Sequence, residues 1–149
     1  MYIIECIFWF LSWTLICYWI HRLVHLIPIL NSLHVEHHKY VTKNHESMNW
    51  HWNNILLIND NIKSTIDFWI TEVIPTLLFV YLSQQWWIFL LWYFYCAFIQ
   101  EKIEHNKNYN KYPFHCAGLW HLIHHRSGKC NFSIFVPFWD IVFKTNTKI

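Results

Sequence analysis

This chain has little charge and almost no glycine. Charged residues fill 13% of its 149 positions, and there are 2 glycines. The net charge is +2 with histidine neutral, too small to argue for a nucleic-acid partner. Lysine and arginine are missing from the first 20 residues and from the stretch between Lys63 and Lys102. The 5 cysteines form no C-x-x-C pair and some sit in apolar runs, which argues against a disulfide framework or a thiolate metal site and fits a reducing compartment. A glycine-rich flavin fingerprint and a cysteine set for an iron–sulfur cluster are also missing. Any redox chemistry here needs electrons from elsewhere.

What is present is apolar and aromatic surface. Hydrophobic residues make up 55% of the chain, aromatics 21%, and 11 residues are Trp. In a soluble domain much of that surface would face water, so the composition indicates a membrane protein. Residues 2–20, "YIIECIFWFLSWTLICYWI", approach the roughly 20 apolar residues that span a bilayer core. The run has no basic leading region and no small-residue cleavage site, so it reads as a retained helix rather than a signal peptide. Pro28, Asn31 and Ser32 then suggest a helix stop and an N-cap, with a new helix starting in "SLHVEHHKY". Residues 40–65 are polar and read as extramembrane, with Trp50 and Trp52 near an interface.

Residues 66–99 are apolar again, broken only by "SQQ", and read as a helical hairpin. Each arm of about 15 residues rises roughly 22 Å, short of a hydrocarbon core of about 30 Å. Three accommodations are open: arms that extend into their flanks, a thinned bilayer, or a hairpin that dips and returns. Glu72 is an intramembrane acid by sequence, either facing a cavity, where it binds a polar group of a substrate, or solvated at the interface. All 11 Lys and Arg and all 12 His lie outside the two apolar regions. The positive-inside rule puts both of these polar stretches in the cytoplasm. The expected fold is all-α: an integral-membrane domain over residues 1–149, with one N-terminal span plus a helical hairpin and a cytosolic histidine-rich helical cap. Its parts are a membrane helix (2–20), the first histidine boxes (21–65), the membrane hairpin (66–99), and the last boxes with the C-terminal tail (100–149).

The histidines carry the chemistry. "HVEHH" (His34, His37, His38) and "HLIHH" (His121, His124, His125) repeat H-x-x-H-H, and placing 12 His at random in 149 positions gives well under one copy. On a helix, positions i, i+3 and i+4 share a face. "HRLVH" adds His21 and His25 at i and i+4, and "EKIEH" adds Glu101 and His105. Imidazole suits iron, zinc and copper, and carboxylate suits harder ions. Nine histidines plus Glu101 exceed what one tetrahedral zinc needs, so a dinuclear centre follows. His45 is a further ligand candidate. His51 and His115 read as surface or supporting residues, and Glu36, Glu46, Asn131 and Asp140 as candidates to hold the outer nitrogens of ligand rings.

Taken together, "HRLVH", "HVEHH", "EKIEH", "HLIHH" and the closing "NFSIFVPFWDIVFKT" resemble the fatty acid hydroxylase/sterol desaturase superfamily, membrane histidine-box di-iron oxygenases. The resemblance covers about residues 15–146. It implies His21, His25, His34, His37, His38, His105, His121, His124 and His125 as metal ligands, with two iron ions as cofactor (zinc substituting in a purified form). It also implies dioxygen, an external electron donor, and a lipid substrate: a fatty acyl chain, sphingolipid, sterol or carotenoid, hydroxylated or desaturated. Family members often show a histidine four residues before the position of His105, where this chain has Glu101. The family's N-Y-G is here Asn131 to Ser133, and Lys144 replaces a glycine in its closing motif.

A cytochrome b5-type or ferredoxin carrier is the expected electron donor, docking on a basic patch of Lys102, Lys107, Lys111, Arg126 and Lys129. Trp9, Trp13, Phe94 and Phe98 are the candidate lining of a substrate tunnel. The competing reading is a non-catalytic metal-binding membrane protein or degenerate relative. A metal carrier should place ionisable groups along its spans, whereas these histidines lie outside them.

Overall fold

A computed structural model describes residues 2–44, 50–59, 61–109 and 114–147 of the chain. The fold is all-helical, 72% helix, with no strand among the described residues. Helix α1, Tyr2–Val24, is 23 residues long and apolar throughout. One stripe of it is buried, including Trp13, Cys17, Tyr18 and His21. Ile3, Ile4, Ile7 and Phe8 on the rest of its surface are exposed, as suits a helix that faces lipid.

Helix α2, Pro28–Asn44, begins four residues earlier than "SLHVEHHKY" suggests. Pro28 starts the helix rather than ending one, because its missing N–H is unneeded in a first turn and its fixed φ is helical. Ser32 is therefore no cap. Its hydroxyl donates back to Ile29 O at 2.7 Å, inside the helix. A short 3-10 turn, Trp52–Leu56, follows. Trp52 is exposed, while Trp50 Nε1 donates to Ala97 O at 2.7 Å.

Helix α3 runs Ile62–Ser83, 22 residues. Asn61 caps it by accepting from Lys63 N at 2.8 Å, the usual use of an N-cap amide. The helix of the first hairpin arm thus begins at Ile62, in the polar flank, and includes residues 62–65. At 1.5 Å per residue it reaches about 33 Å, enough to cross a bilayer core. Gln84 ends it in the left-handed region at φ 59, and α4, Trp86–Gln100, returns over about 22 Å. The chain therefore holds two helices, α1 and α3, long and apolar enough to cross a membrane.

Helix α3 is not regular. Its turn Trp69–Val73 is π-helical, and Pro75 stands just after it. Pro75 has no N–H to give the carbonyl four residues back, and its ring crowds that carbonyl; an i→i+5 turn there relieves both faults. The three apolar helices pack on a core that includes Trp13, Cys17, Phe68, Val80, Ile88 and Trp92. Trp13 Nε1 donates to Thr76 Oγ1 at 3.1 Å, tying α1 to α3 inside the apolar layer. Helix α5, Leu119–Ser127, and the short α6, Phe138–Val142, close the C-terminal side.

Candidate metal centre

The C-terminal ends of α1 and α4, the middle of α2, and α5 bring the boxes together. Nine histidines fall into two groups: His21, His25, His34, His38 and His124, then His37, His105, His121 and His125. Within each group one ring nitrogen per residue lies within 4.8 Å of all the others. The nine are the same nine that the boxes and the family resemblance single out. The two H-x-x-H-H boxes are not one box per group. Each splits, His34 and His38 from His37, and His124 from His121 and His125, so α2 and α5 lie between the groups and serve both.

Outer contacts orient the rings. His21 Nδ1 donates to Phe132 O at 2.7 Å, His38 Nδ1 to His125 O at 3.2 Å, and His124 Nδ1 to Cys130 O at 2.8 Å. A carbonyl only accepts, so these Nδ1 atoms carry the hydrogen. His34 Nδ1 faces the Asp67 carboxylate at 2.9 Å, and His37 Nδ1 lies 2.8 Å from Ser64 Oγ. The Phe132 carbonyl is itself fixed. Asp140 accepts from Phe132 N, Ser133 N and Thr145 Oγ1 at 2.9, 2.9 and 2.7 Å, which locks the loop behind His21.

Burial keeps the rings neutral. It holds His37, His121, His124 and His125 well below the usual imidazole range, and neighbouring rings add to the effect. Burial, then His38 and His25, lowers His34 to about 2. Burial, then His25, lowers His38 to about 4. A neutral ring with hydrogen on Nδ1 has a bare lone pair on Nε2. His34 Nε2 nevertheless lies 2.9 Å from His38 Nε2 and 3.1 Å from His21 Nε2, and His25 Nε2 lies 3.2 Å from His124 Nε2. Lone pairs of this kind repel one another and form no hydrogen bond. A metal ion bound at about 2.0–2.1 Å by each nitrogen sets neighbouring donors about 2.9–3.4 Å apart. The donor set therefore fits a metal ion, and the close approach of the rings calls for one.

The other candidates divide. His45, Glu46 and Lys111 lie outside the described residues, as does the side chain of Glu101, whose backbone opens the short turn Glu101–Ile103. His51 is exposed, and His115 Nδ1 accepts from Ala117 N at 3.1 Å. Glu36 pairs with Lys39 on the surface at 2.9 Å and holds no ring. Asn131 and Asp140 contact backbone rather than a ring: Asn131 Nδ2 donates to Trp120 O on α5, and Asp140 accepts from Phe132 N in the loop that follows. Asp67, Ser64 and Glu104 were not singled out by sequence. Glu104 is buried, with Oε1 3.8 Å from His121 Nε2. Its only sequence signal is adjacency to His105.

A cavity of about 60 Å³ opens beside the groups, touching His21 and His34 of one and His37, His105 and His121 of the other. Leu57, Ile58, Phe68 and Ile134 give it an apolar wall, and Asp67, Glu72, Gln100 and Glu104 a polar one. Glu72 is thus a buried cavity residue, not an interfacial one, and accepts from Trp92 Nε1 at 3.3 Å. Trp9, Trp13, Phe94 and Phe98 do not line the cavity. Trp13 is core, and Phe94 and Phe98 are exposed on α4.

These features define a class: a helical membrane protein whose histidine clusters could hold metal beside a cavity with one apolar wall. The fatty acid hydroxylase family model matches residues 6–145, and the chain belongs to that family. No individual curated protein and no solved structure matches it.

Proposed function

We propose that this protein is a membrane-bound non-haem di-iron oxygenase that hydroxylates or desaturates a lipid, using dioxygen and an external electron donor. The observation that carries the proposal is the sorting of nine histidines, all but His25 and His37 buried, into a five-ring and a four-ring group along one cavity. Family membership supports lipid oxidation as the reaction class. The ligand assignment follows the groups: His21, His25, His34, His38 and His124 for one ion, and His37, His105, His121 and His125 for the other. When bound, two ferrous ions would supply the dioxygen chemistry that attacks an unactivated C–H bond.

The protein's own residues do the positioning. The Nδ1 contacts hold five rings, His21, His34, His37, His38 and His124, with Nε2 inward, and the Asp67 carboxyl backs His34. Phe68, Leu57, Ile58 and Ile134 exclude water from the reacting carbon. At about 60 Å³ the cavity has room for only about four waters at some 15 Å³ each, so it takes the reacting segment of a long substrate and not its full length. Glu72, fixed by Trp92, offers an acceptor to a hydroxyl or amide on that substrate. The metal site faces the cytoplasm on the endoplasmic reticulum or another cellular membrane, where a cytochrome b5-type or ferredoxin carrier docks against Lys102, Lys107, Arg126 and Lys129.

Metal analysis of the purified, folded protein tests the core of this reading. About two irons per chain are expected, with oxidised lipid formed when carrier, reductant and dioxygen are supplied. Folded protein that takes up no metal would overturn it. Two metals per chain with no product from any lipid class would leave a metal-binding protein without catalysis.

A further inference from the structure

We propose that Glu104 is the carboxylate donor of the four-ring group, giving each ion five protein donors. The inference rests on the two-metal reading and adds a ligand to it. Three observations support it. First, the groups are unequal, five rings against four. Second, Glu104 Oε1 is 3.8 Å from His121 Nε2. Two donors at about 2.0–2.2 Å from one ion lie between about 2.9 Å and 4.3 Å apart, so this spacing suits a shared ion. Third, Glu104 is only 4% exposed and lines the cavity beside both groups.

Charge points the same way. Two divalent ions bring four positive charges into a buried site, and neutral imidazoles offset none of them. Asp67 places a carboxyl group 2.9 Å behind His34, in the five-ring group. Glu104 lies beside His121 of the four-ring group, and both acids line the same cavity. The backbone holds Glu104 in place. Gly118 N donates to Glu104 O at 2.8 Å, at the point where α5 begins. Gly118 has φ 73, and a Cβ there would stand 2.8 Å from Tyr109 O, so only glycine allows this approach. The same junction sets His121, on α5, beside Glu104 and His105.

The test is metal binding by the full chain in detergent or nanodiscs, loaded with Fe(II) and titrated with a competing chelator. The unaltered chain should hold two irons. Glu104→Gln should hold one as tightly as before and the other about 100-fold more weakly or worse, the upper end of what ligand-supporting changes cost. The retained iron reports that the variant is folded. Should E104Q lose both irons, Glu104→His decides: two irons regained supports a donor role, and failure to regain them overturns it. Two irons of unchanged affinity in E104Q overturn the proposal while leaving the two-metal reading intact. So does Glu101→Gln carrying the loss instead. An unaltered chain that binds no iron overturns both.

Discussion

The two histidine groups share two helices and one cavity, yet they are held differently. In the five-ring group four rings have an outer partner on Nδ1: a carbonyl for His21, His38 and His124, and a carboxylate for His34. In the four-ring group His37 has Ser64, while His121 Nδ1 and His125 Nδ1 are buried with no hydrogen-bond partner. An anchored ring has one tautomer and one orientation before any ion arrives. The five-ring group is therefore preorganised, and the four-ring group relies more on its ion to order it.

The comparison breaks most sharply at a shared helix. His34→Ala removes the ring that lies closest to two others in the five-ring group. It should abolish metal there and cost well over the 10–100-fold typical of supporting residues, while the four-ring group keeps its metal. Iron counts and product formation on one preparation check this, and loss of metal from both groups would show that they do not bind independently.

Acid gives the next largest effect. Above about 6.5, the ordinary imidazole value, His38 is neutral whether folded or unfolded. Between about 6.5 and about 4 the unfolded ring takes up a proton and the folded one does not, so stability of the metal-free protein falls as pH falls. The slope is about 1.4 kcal/mol per pH unit for each such ring. His34, lowered to about 2, extends the loss further into acid. Denaturation midpoints of metal-free protein at pH 7, 6 and 5 should decline in that order, and flat midpoints would contradict the neutral-ring picture.

A smaller change sharpens the contrast. Asp67→Asn keeps the shape but removes the charge behind His34, and should weaken metal binding in the five-ring group by about 10–100-fold, with the other group unaffected. Smaller still, Ser64→Ala takes the partner from His37 and should weaken the four-ring group by about tenfold or less. Chelator competition resolves both, and the two variants should act on different ions.

The sequence makes the nine rings legible because helical spacing alone puts H-x-x-H-H on one face. It does not show that each box would split between two ions, since that depends on the angle at which α2 and α5 meet. The supporting acids are harder still. Asp67 is 33 residues from His34, and nothing near Asp67 marks it, whereas Glu36, inside a box, turns outward to Lys39. The hairpin is legible as apolar runs, but its true first arm is masked by the polar residues Lys63, Ser64 and Thr65 at its start. Two of those, Ser64 and Thr65, are buried.

The π-turn at Trp69–Val73 has one more consequence. Such a turn holds one residue more than the α-helical turn it replaces. It lets Asp67, which backs His34, and Glu72, five residues on, sit on the same cavity wall. Deleting a single residue from this turn would restore the ordinary helix and swing everything beyond it through about 100°. Glu72 would leave the wall and Thr76 would leave Trp13. One codon in the middle of a membrane helix thus sets the register between the metal-holding end of the protein and its lipid-embedded half.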